Sequence, residues 1–203
     1  MNVPRTRLAP AQRREQLVEL GAELLSVRRL EELSIDEIAE EAGISRGLLY
    51  HYFSGKREFH LEVLQRMADR VIAITAPSGH GEPLDQLVGS LEAYVGFVRE
   101  NHDAYTSFVR AAAAGDADYQ RLHEHARAAL TDRIFVAADA EALSALGLAD
   151  TAAVRLMVRG WSAMVEDVVL SWLDDDSGVA ESELLDMLAR SLASVGSIVS
   201  STR

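Results

Sequence analysis

A glycine turn between two short capped helices, within residues 34–53, restricts the fold more than any other stretch of the sequence. Ser34 and Glu37 have the spacing of a capping box, which starts a short helix. Gly43 can adopt the left-handed conformation that a sharp reversal requires, and Ser45 can then cap a second helix. The sequence therefore predicts a helix-turn-helix, and the side chains expected to be buried in its second helix are Leu48, Leu49 and Phe53.

The outer face of the second helix carries side chains suited to DNA. Arg46 lies at its N-terminal end, where an arginine can form a bidentate contact with guanine. Lys56 lies in the first turn of the next helix, where the helix dipole disfavours a cation unless a phosphate is nearby. With the two capping serines, the predicted DNA-binding residues of this unit are Ser34, Ser45, Arg46, Gly47, Tyr50, His51 and Lys56.

Residues 1–9 precede the first predicted helix and have the character of an arm. Arg5 and Arg7 flank a threonine that follows a proline, and such arms can lie in the minor groove of DNA. A disordered tail without a DNA contact fits the same residues equally well. We include Arg5 and Arg7 among the candidate DNA-binding residues, and the two interpretations stay open.

The segment EEAGISRGLLYHYFSGK, residues 40–56, resembles the TetR-like transcriptional regulators. That family has a short capped helix, an A-G-(V/I)-S turn, a recognition helix ending in Leu-Tyr-x-(Tyr/His)-Phe, and a lysine opening the next helix. The resemblance covers about the first sixty residues. It implies an all-α protein that binds a palindromic operator in double-stranded DNA as a homodimer, and a C-terminal helical domain that dimerises and holds a small-molecule effector.

Charge is distributed unevenly along the chain. The net charge is −12, which by itself argues against a nucleic-acid partner. Residues 1–60, however, carry nine Lys or Arg against ten Asp or Glu, whereas residues 61–203 carry eleven against twenty-two. DNA affinity depends on the local cationic surface, for which the sequence offers Arg5, Arg7, Arg46, Lys56 and Arg57. We therefore expect the acidic second part to face away from the duplex.

The sequence predicts three consecutive parts. The helix-turn-helix domain with its arm spans residues 1–55 and includes a first helix that starts at Pro10. A continuous helix over residues 56–76 connects it to an effector-binding and dimerisation domain, residues 77–203, in which only helical periodicity occurs. The expected fold class is therefore all-α, with an N-terminal three-helix domain and a C-terminal helical domain.

The last two predicted helices, residues 151–173 and 182–199, each carry two apolar rows. Two rows exceed what one contact within the chain uses, so a partner chain is expected to bury the surplus in a four-helix interface. The predicted interface residues are Val158, Val165, Val169, Leu188, Leu192, Val195 and Val199.

Aromatic and thioether side chains are concentrated in three predicted helices of the second part. Such side chains can line an adaptable cavity for a small, mostly apolar effector, and ordinary core packing is the alternative for each of them. A few polar groups nearby offer a contact that would orient the ligand. The candidate effector residues are Tyr94, Phe97, Tyr105, Phe108, Met157, Trp161 and Met164, with Arg110, His123 or Glu166 as the polar partner.

No catalytic or metal-binding pattern is present in the sequence. His123 and His125 are two residues apart and would face different sides of a helix, and the acidic run 174–176 is typical of a solvated loop. We therefore expect no catalytic residues, no metal site and no cofactor. The absence of cysteine and of any membrane-length apolar run favours a cytoplasmic protein without a membrane partner, and the N-terminal residues lack the apolar segment of a secretory signal.

The favoured interpretation is a DNA-binding regulator, not an enzyme. Repression is the default, because a protein seated on a promoter blocks polymerase without any additional surface. The alternative is a helical small-molecule-binding protein or enzyme that keeps the N-terminal unit as a packing module.

Overall fold

The computed structural model describes residues 9–175 and 178–200, and all the regular elements in these ranges are helical. This confirms the predicted all-α class. Arg5 and Arg7 lie outside the described residues, as does the side chain of Val199. A single 3-10 turn, Leu30–Glu32, accompanies ten α-helices in the described ranges. The helices are α1 (Pro10–Leu25), α2 (Ile35–Glu41), α3 (Arg46–Tyr52), α4 (Lys56–Ile74), α5 (Pro83–Glu100), α6 (His102–Ala113), α7 (Ala117–Ala137), α8 (Ala140–Ala145), α9 (Ala152–Asp174) and α10 (Glu181–Ser200).

Helices α2 and α3 form the predicted helix-turn-helix. The Ser34 hydroxyl accepts a hydrogen bond from the Glu37 amide, and the Ser45 hydroxyl accepts one from the Leu48 amide. Gly43 joins the helices with a φ of 63°, a conformation that other residues adopt at a cost. The side chains that close the core of this unit are Leu17, Leu25, Ile38, Leu49, Phe53 and Phe59.

Leu48 departs from the prediction. Its side chain is 39% exposed, whereas the neighbouring Leu49 is fully buried. A helix of two turns presents only one face to a core, and Leu49 and Phe53 occupy that face here. Leu48 therefore belongs to the outer surface of α3.

Helix α4 connects the N-terminal unit to the remaining helices. Its nineteen residues span about 28 Å at 1.5 Å per residue. Phe59 and Val63, near its start, pack against α1, and Val71, near its end, is buried among the later helices. The predicted connecting helix is thus present, and it ends at Ile74.

The remaining helices pack mainly as α6 on α7, α9 on α10, and α5 against α4, α9 and α10. Helix α8 was not predicted, because its six residues are too few to show a periodicity. Asp139 caps it by accepting a hydrogen bond from the Ala142 amide, and Leu143 buries its inner face. None of the described helices is long and apolar enough to cross a membrane.

The dimer-interface residues predicted on α9 and α10 are wrong, because they do not face outward. Six of their side chains are buried within the chain itself, namely Val158, Val165, Val169, Leu188, Leu192 and Val195. The reason is that α9 has α5, α7 and α10 as neighbours, so the row that contains Val158, Val165 and Val169 is used inside the chain. A different set of apolar side chains faces outward. It consists of Leu156, Met157 and Met164 on α9 and Met187 and Ile198 on α10, and we call it the exposed α9–α10 row.

The C-terminal half of α10 packs closely on the turn between α8 and α9. A Cβ atom on Gly196 would overlap the carbonyl oxygen of Gly147, which itself has a φ of 70°. The position of the Cβ is fixed by the Gly196 backbone and the atom it meets is a backbone oxygen, so no side-chain rotation relieves a clash.

Gly196→Ala should therefore destabilise the protein by about 1–3 kcal/mol, the range of overpacked cores. Chemical denaturation measures the change. Gly89→Ala is the matched control, because Gly89 lies within α5 with no described atom within 4 Å of its added Cβ. Alanine there should stabilise the helix by about 0.5–1 kcal/mol. Equal stability of the two variants would contradict the close packing at Gly196.

Candidate DNA-binding surface and ligand cavity

The outward face of α3 brings together most of the predicted DNA-binding residues. Arg46, Gly47, Tyr50 and His51 are all exposed, and Leu49 anchors the helix from beneath. Ser45 lies at the start of the same helix, Ser34 at the start of α2, and Lys56 at the start of α4. The helix therefore presents a cation and two aromatic rings on a surface that no described residue covers.

Arg46 has a partner within the chain. Its Nε atom lies 2.6 Å from an Asp36 carboxylate oxygen, and both side chains are more than half exposed. An exposed ion pair of this kind contributes about 0–1 kcal/mol, so a stronger acceptor can displace it. Asp36 thus holds the guanidinium beside the first turn of α2 without removing it from the surface.

Lys56 and Arg57, which were expected together on the cationic surface, differ in their surroundings. The Lys56 ammonium donates a hydrogen bond of 2.9 Å to the Glu31 carbonyl and remains exposed. The Arg57 guanidinium instead donates to the carboxylates of Asp116 and Asp118 at the start of α7, at 2.5–3.1 Å. These hydrogen bonds raise the pKa of Arg57 and lower that of Asp116. Arg57 therefore links α4 to α7, and its charge is paired with two carboxylates instead of adding an unpaired cation to the surface.

Arg14 fixes the position of α3 on the side that faces the core. Its guanidinium donates hydrogen bonds to Glu58, to Glu62 and to the Tyr52 carbonyl, and lies 4.5 Å from the centroid of the Phe53 ring. The Ser54 hydroxyl and the Arg14 guanidinium lower the pKa of Glu58 to about 2, so this carboxylate stays charged at neutral pH. Arg14 therefore joins α1, the end of α3 and α4.

A cavity of about 380 Å³ lies among the end of α4, α5, α7, α8 and α9. This volume is within the usual range for sites that bind small molecules. Of the candidate effector residues, Tyr94, Tyr105, Trp161 and Glu166 line it. Its other walls include Leu87, Leu91, Leu130, Ile134, Leu146 and Val165, so most of its surface is apolar.

The other candidate effector residues lie elsewhere. Phe97 and Phe108 are buried away from the cavity, and Arg110 is exposed on α6. Met157 and Met164 belong to the exposed α9–α10 row. The sequence shows that Phe97, Phe108, Met157 and Met164 are apolar and that Arg110 is charged, but it does not show which side of a helix meets the cavity. Their predicted place in the cavity wall is therefore wrong.

A polar network forms one end of the cavity wall. The Tyr94 and Tyr105 hydroxyls are 2.9 Å apart, and the Tyr105 hydroxyl donates to Glu166 at 2.6 Å. Nε2 of His123 lies 2.8 and 3.0 Å from the two oxygens of the same carboxylate, so His123 supports the wall from behind. Burial alone would raise the pKa of Glu166, but the hydrogen bonds from His123 and Tyr105 outweigh it, and the net shift is downward. Glu166 is therefore ionised at neutral pH.

Two arginines of α7, absent from the sequence-based candidates, also line the cavity. Arg133 donates 2.9 Å hydrogen bonds to the Ile72 carbonyl and the Thr75 hydroxyl, at the end of α4. Arg127 lies 4.0 Å from a Glu166 oxygen, and its Nε–H is buried without a hydrogen-bond partner in the part of the chain described. Arg127, Thr131 and Ile134 share one face of α7 by helical spacing, whereas Arg133, six residues after Arg127, lies on a different side of the helix. Because α7 has only a weak apolar stripe, neither arginine stands out in the sequence.

Within residues 9–175 and 178–200, no three His, Asp or Glu side chains converge as a metal site. His125 is exposed and does not share the position of His123.

Two family models match the chain. The model "Bacterial regulatory proteins, tetR family" matches residues 17–63, which contain the helix-turn-helix. The model "Tetracyclin repressor-like, C-terminal domain" matches residues 83–195, which contain the cavity-lining helices α5 and α7–α9.

Individual proteins show the same similarity. The HTH-type transcriptional activator FasR of Mycolicibacterium smegmatis is 27% identical over 177 residues, which are 84% of this chain and 76% of FasR. The HTH-type transcriptional repressor KstR2 of the same organism is 34% identical over 105 residues, about half the length of either protein. Among solved structures, a tetR-family transcriptional regulator from Streptomyces coelicolor matches with a TM-score of 0.80 and 30% identity, covering 97% of this chain and 85% of that one.

Proposed function

Because this chain belongs to the TetR family of bacterial regulatory proteins and is a DNA-binding transcriptional regulator, we propose that it is a cytoplasmic repressor released from a palindromic operator by a small-molecule effector. The observation that carries the proposal is that one helix, α4, joins the exposed face of α3 to the cavity. Phe59, near the start of α4, packs in the core beneath α3, and Thr75, just after its end, lines the cavity.

Operator recognition is assigned to the outer face of α3. Arg46 is the proposed base contact, Tyr50 lies one turn after it, and His51 is exposed on the same helix. Lys56 is proposed to approach a phosphate from the start of α4. The capping serines Ser34 and Ser45 lie at helix N-termini, where backbone amides favour a phosphate oxygen. No acidic side chain of α3 competes with these groups.

Dimerisation is assigned to the exposed α9–α10 row. Regulators of this family bind DNA and dimerise. Leu156 is 68% exposed, Met187 is 46% exposed, and the small residues Gly160 and Ala163 lie beside Met164. A second copy of the chain that covered these side chains would bury apolar surface from two helices of each chain, as in a four-helix interface.

Repression by release requires a ligand that distinguishes two arrangements of the protein. A ligand that binds both arrangements equally shifts neither, however tightly it binds. The effector must therefore favour an arrangement in which the two α3 helices no longer match the half-sites. Among the relatives, KstR2 is named a repressor and FasR an activator, so the direction of regulation needs its own measurement.

The test starts from genomic DNA of the source organism. The purified protein should retain promoter fragments that contain two half-sites about 34 Å apart, each protected in a footprint. Transcription in vitro from such a promoter should fall when the protein is added. A rise in transcription would contradict repression, and failure to retain any fragment would favour a small-molecule carrier that uses the N-terminal unit only for packing.

Arg46→Ala tests the proposed base contact. The substitution should cost about 1–3 kcal/mol of operator affinity and relax the preference at one base pair in each half-site, because a bidentate arginine contact distinguishes guanine. Arg28→Ala is the matched control, since Arg28 forms an exposed ion pair with Glu37 and lies off α3. The measurement is the affinity of each protein for a set of operators that differ from the original at one base pair. An equal loss for all sequences would make Arg46 a phosphate contact only.

A further inference from the structure

We propose that the cavity binds an amphiphilic anion, an apolar body that carries a carboxylate, and that Arg127 and Arg133 bind the carboxylate. This inference rests on the proposed function, because it names the chemical class of the effector. The two arginines carry charge that the nearby acids do not fully compensate, and the rest of the cavity wall is mostly apolar.

Arg133 is a half-buried cation without a carboxylate partner among the described residues. Its two described hydrogen bonds go to neutral oxygens, the Ile72 carbonyl and the Thr75 hydroxyl. Burial lowers the pKa of Arg133, and no described acid raises it. A guanidinium nevertheless stays protonated in a protein, so the charge remains uncompensated on the cavity wall.

Arg127 lacks a hydrogen bond that it could make. Its Nε–H is buried and has no acceptor within the described ranges, and a buried donor without an acceptor costs free energy. Its nearest carboxylate oxygen, on Glu166, is 4.0 Å away, which is too far for a hydrogen bond. Another atom of the guanidinium donates to the Arg159 carbonyl at 3.4 Å. Because the Arg127 side chain lines the cavity, a ligand carboxylate there can approach the guanidinium, and a turn of the side chain would bring the unpaired N–H to it.

The acids that line the cavity compensate these charges only in part. Glu166 already accepts a hydrogen bond from Tyr105 and is paired with His123. Asp139 is exposed at the rim and accepts the capping hydrogen bond of α8. With two arginines, one shared carboxylate and one carboxylate at the rim, the interior favours a negative group over a neutral or positive one.

The remaining part of the cavity wall determines the polarity and the size of the rest of the ligand. Leu87, Leu91, Leu130, Ile134 and Trp161 present apolar surface to the same cavity as the two arginines. A volume of about 380 Å³ holds roughly a dozen non-hydrogen atoms at about 30 Å³ each. A medium-chain carboxylate such as decanoate has this size, one negative charge and no other polar group, and serves as the probe.

The experiment compares three probes with the same ten-carbon chain: decanoate, 1-decanol and decyltrimethylammonium. Affinities are measured by calorimetry on the full-length protein without DNA, below the micelle-forming concentrations. We expect decanoate to bind at least about tenfold more tightly than decanol, since hydrogen bonds to charged groups are the stronger ones. Equal affinities, tighter binding of the ammonium compound, or no binding of any probe would each overturn the proposal.

Variants assign the preference to the two arginines. Arg133→Met and Arg127→Met should each reduce the decanoate preference several-fold and leave decanol affinity within about twofold. Arg110→Met is the matched control, because it removes an exposed arginine of α6 that does not line the cavity. If Arg133→Met fails to fold, Arg133→Lys keeps the charge and should keep most of the preference. An unchanged preference in both methionine variants would overturn the assignment.

Operator binding is then measured separately with and without decanoate. Loss of the carboxylate preference overturns this inference even if the protein retains its operator. Failure to retain DNA overturns the proposed function, while the binding results without DNA still decide the ligand class.

Discussion

Leu156→Asp should convert the protein into a monomer that no longer binds its operator tightly. Leu156 is the most exposed member of the exposed α9–α10 row, and a symmetric interface would contain the substitution twice. An unpaired carboxylate in an apolar interface costs several kcal/mol of the free energy of dimerisation, and that loss should dissociate the dimer. A monomer has one recognition helix and cannot occupy two half-sites about 34 Å apart, so operator affinity should fall by more than about a hundredfold.

Sedimentation and operator binding measure the two parts of this result. Val136→Asp is the matched control, since Val136 is 80% exposed on α7 and lies outside the row. It should leave both the dimer and the operator affinity unchanged. Circular dichroism should show the same helical content for both variants. A dimeric Leu156→Asp protein would refute the assigned interface. Val195 is a poor choice for this test, because it is buried in the chain and an acid there would damage the fold.

Phe53→Ala should cost about 3–5 kcal/mol of stability, the range for removing a buried aromatic ring. Phe53 is 1% exposed, meets the Phe59 ring edge-on at 5.0 Å, and lies beneath the Arg14 guanidinium. Its loss leaves a cavity under α3 and removes the surface on which Arg14 lies. The recognition helix should then lose its fixed position, and operator binding should fall together with stability.

Chemical denaturation gives the free energy of unfolding. Val27→Ala is the control, because Val27 is 75% exposed in the N-terminal unit and exposed positions usually change stability by less than about 0.5 kcal/mol. A loss below 1 kcal/mol for Phe53→Ala would mean that the ring does not support α3. Phe53→Leu should recover part of the stability, since it refills most of the space.

The N-terminal unit could be predicted from the sequence because its determinants are local. The caps at Ser34 and Ser45 and the left-handed Gly43 act within four residues of their own positions, and the structure contains all three. Leu48 was misassigned because the choice between two adjacent leucines depends on which face meets the core, and that depends on α1 and α4.

The second part shows what periodicity does not determine. Periodicity identifies the apolar rows of α9. The number of helices that pack against α9, however, depends on the whole fold. Val158 and Val165 were therefore placed outside when they lie inside, and Met157 and Met164 were placed in the cavity when they lie outside. Arg127 and Arg133 were missed because a polar cavity wall on a weakly amphipathic helix looks like a solvated face.

Helices α4 and α7 are fastened to each other near both of their ends. Arg57, at the start of α4, holds Asp116 and Asp118 at the start of α7, and Arg133, near the end of α7, holds Ile72 and Thr75 at the end of α4. Helix α4 therefore cannot slide along α7 unless one of these two attachments opens. The two attachments differ in their surroundings, because the Arg57 pair is exposed beside the DNA-binding unit and the Arg133 pair lies on the cavity wall. A ligand that drew Arg133 away from Ile72 and Thr75 would open the cavity-side attachment and leave the one nearer α3 in place.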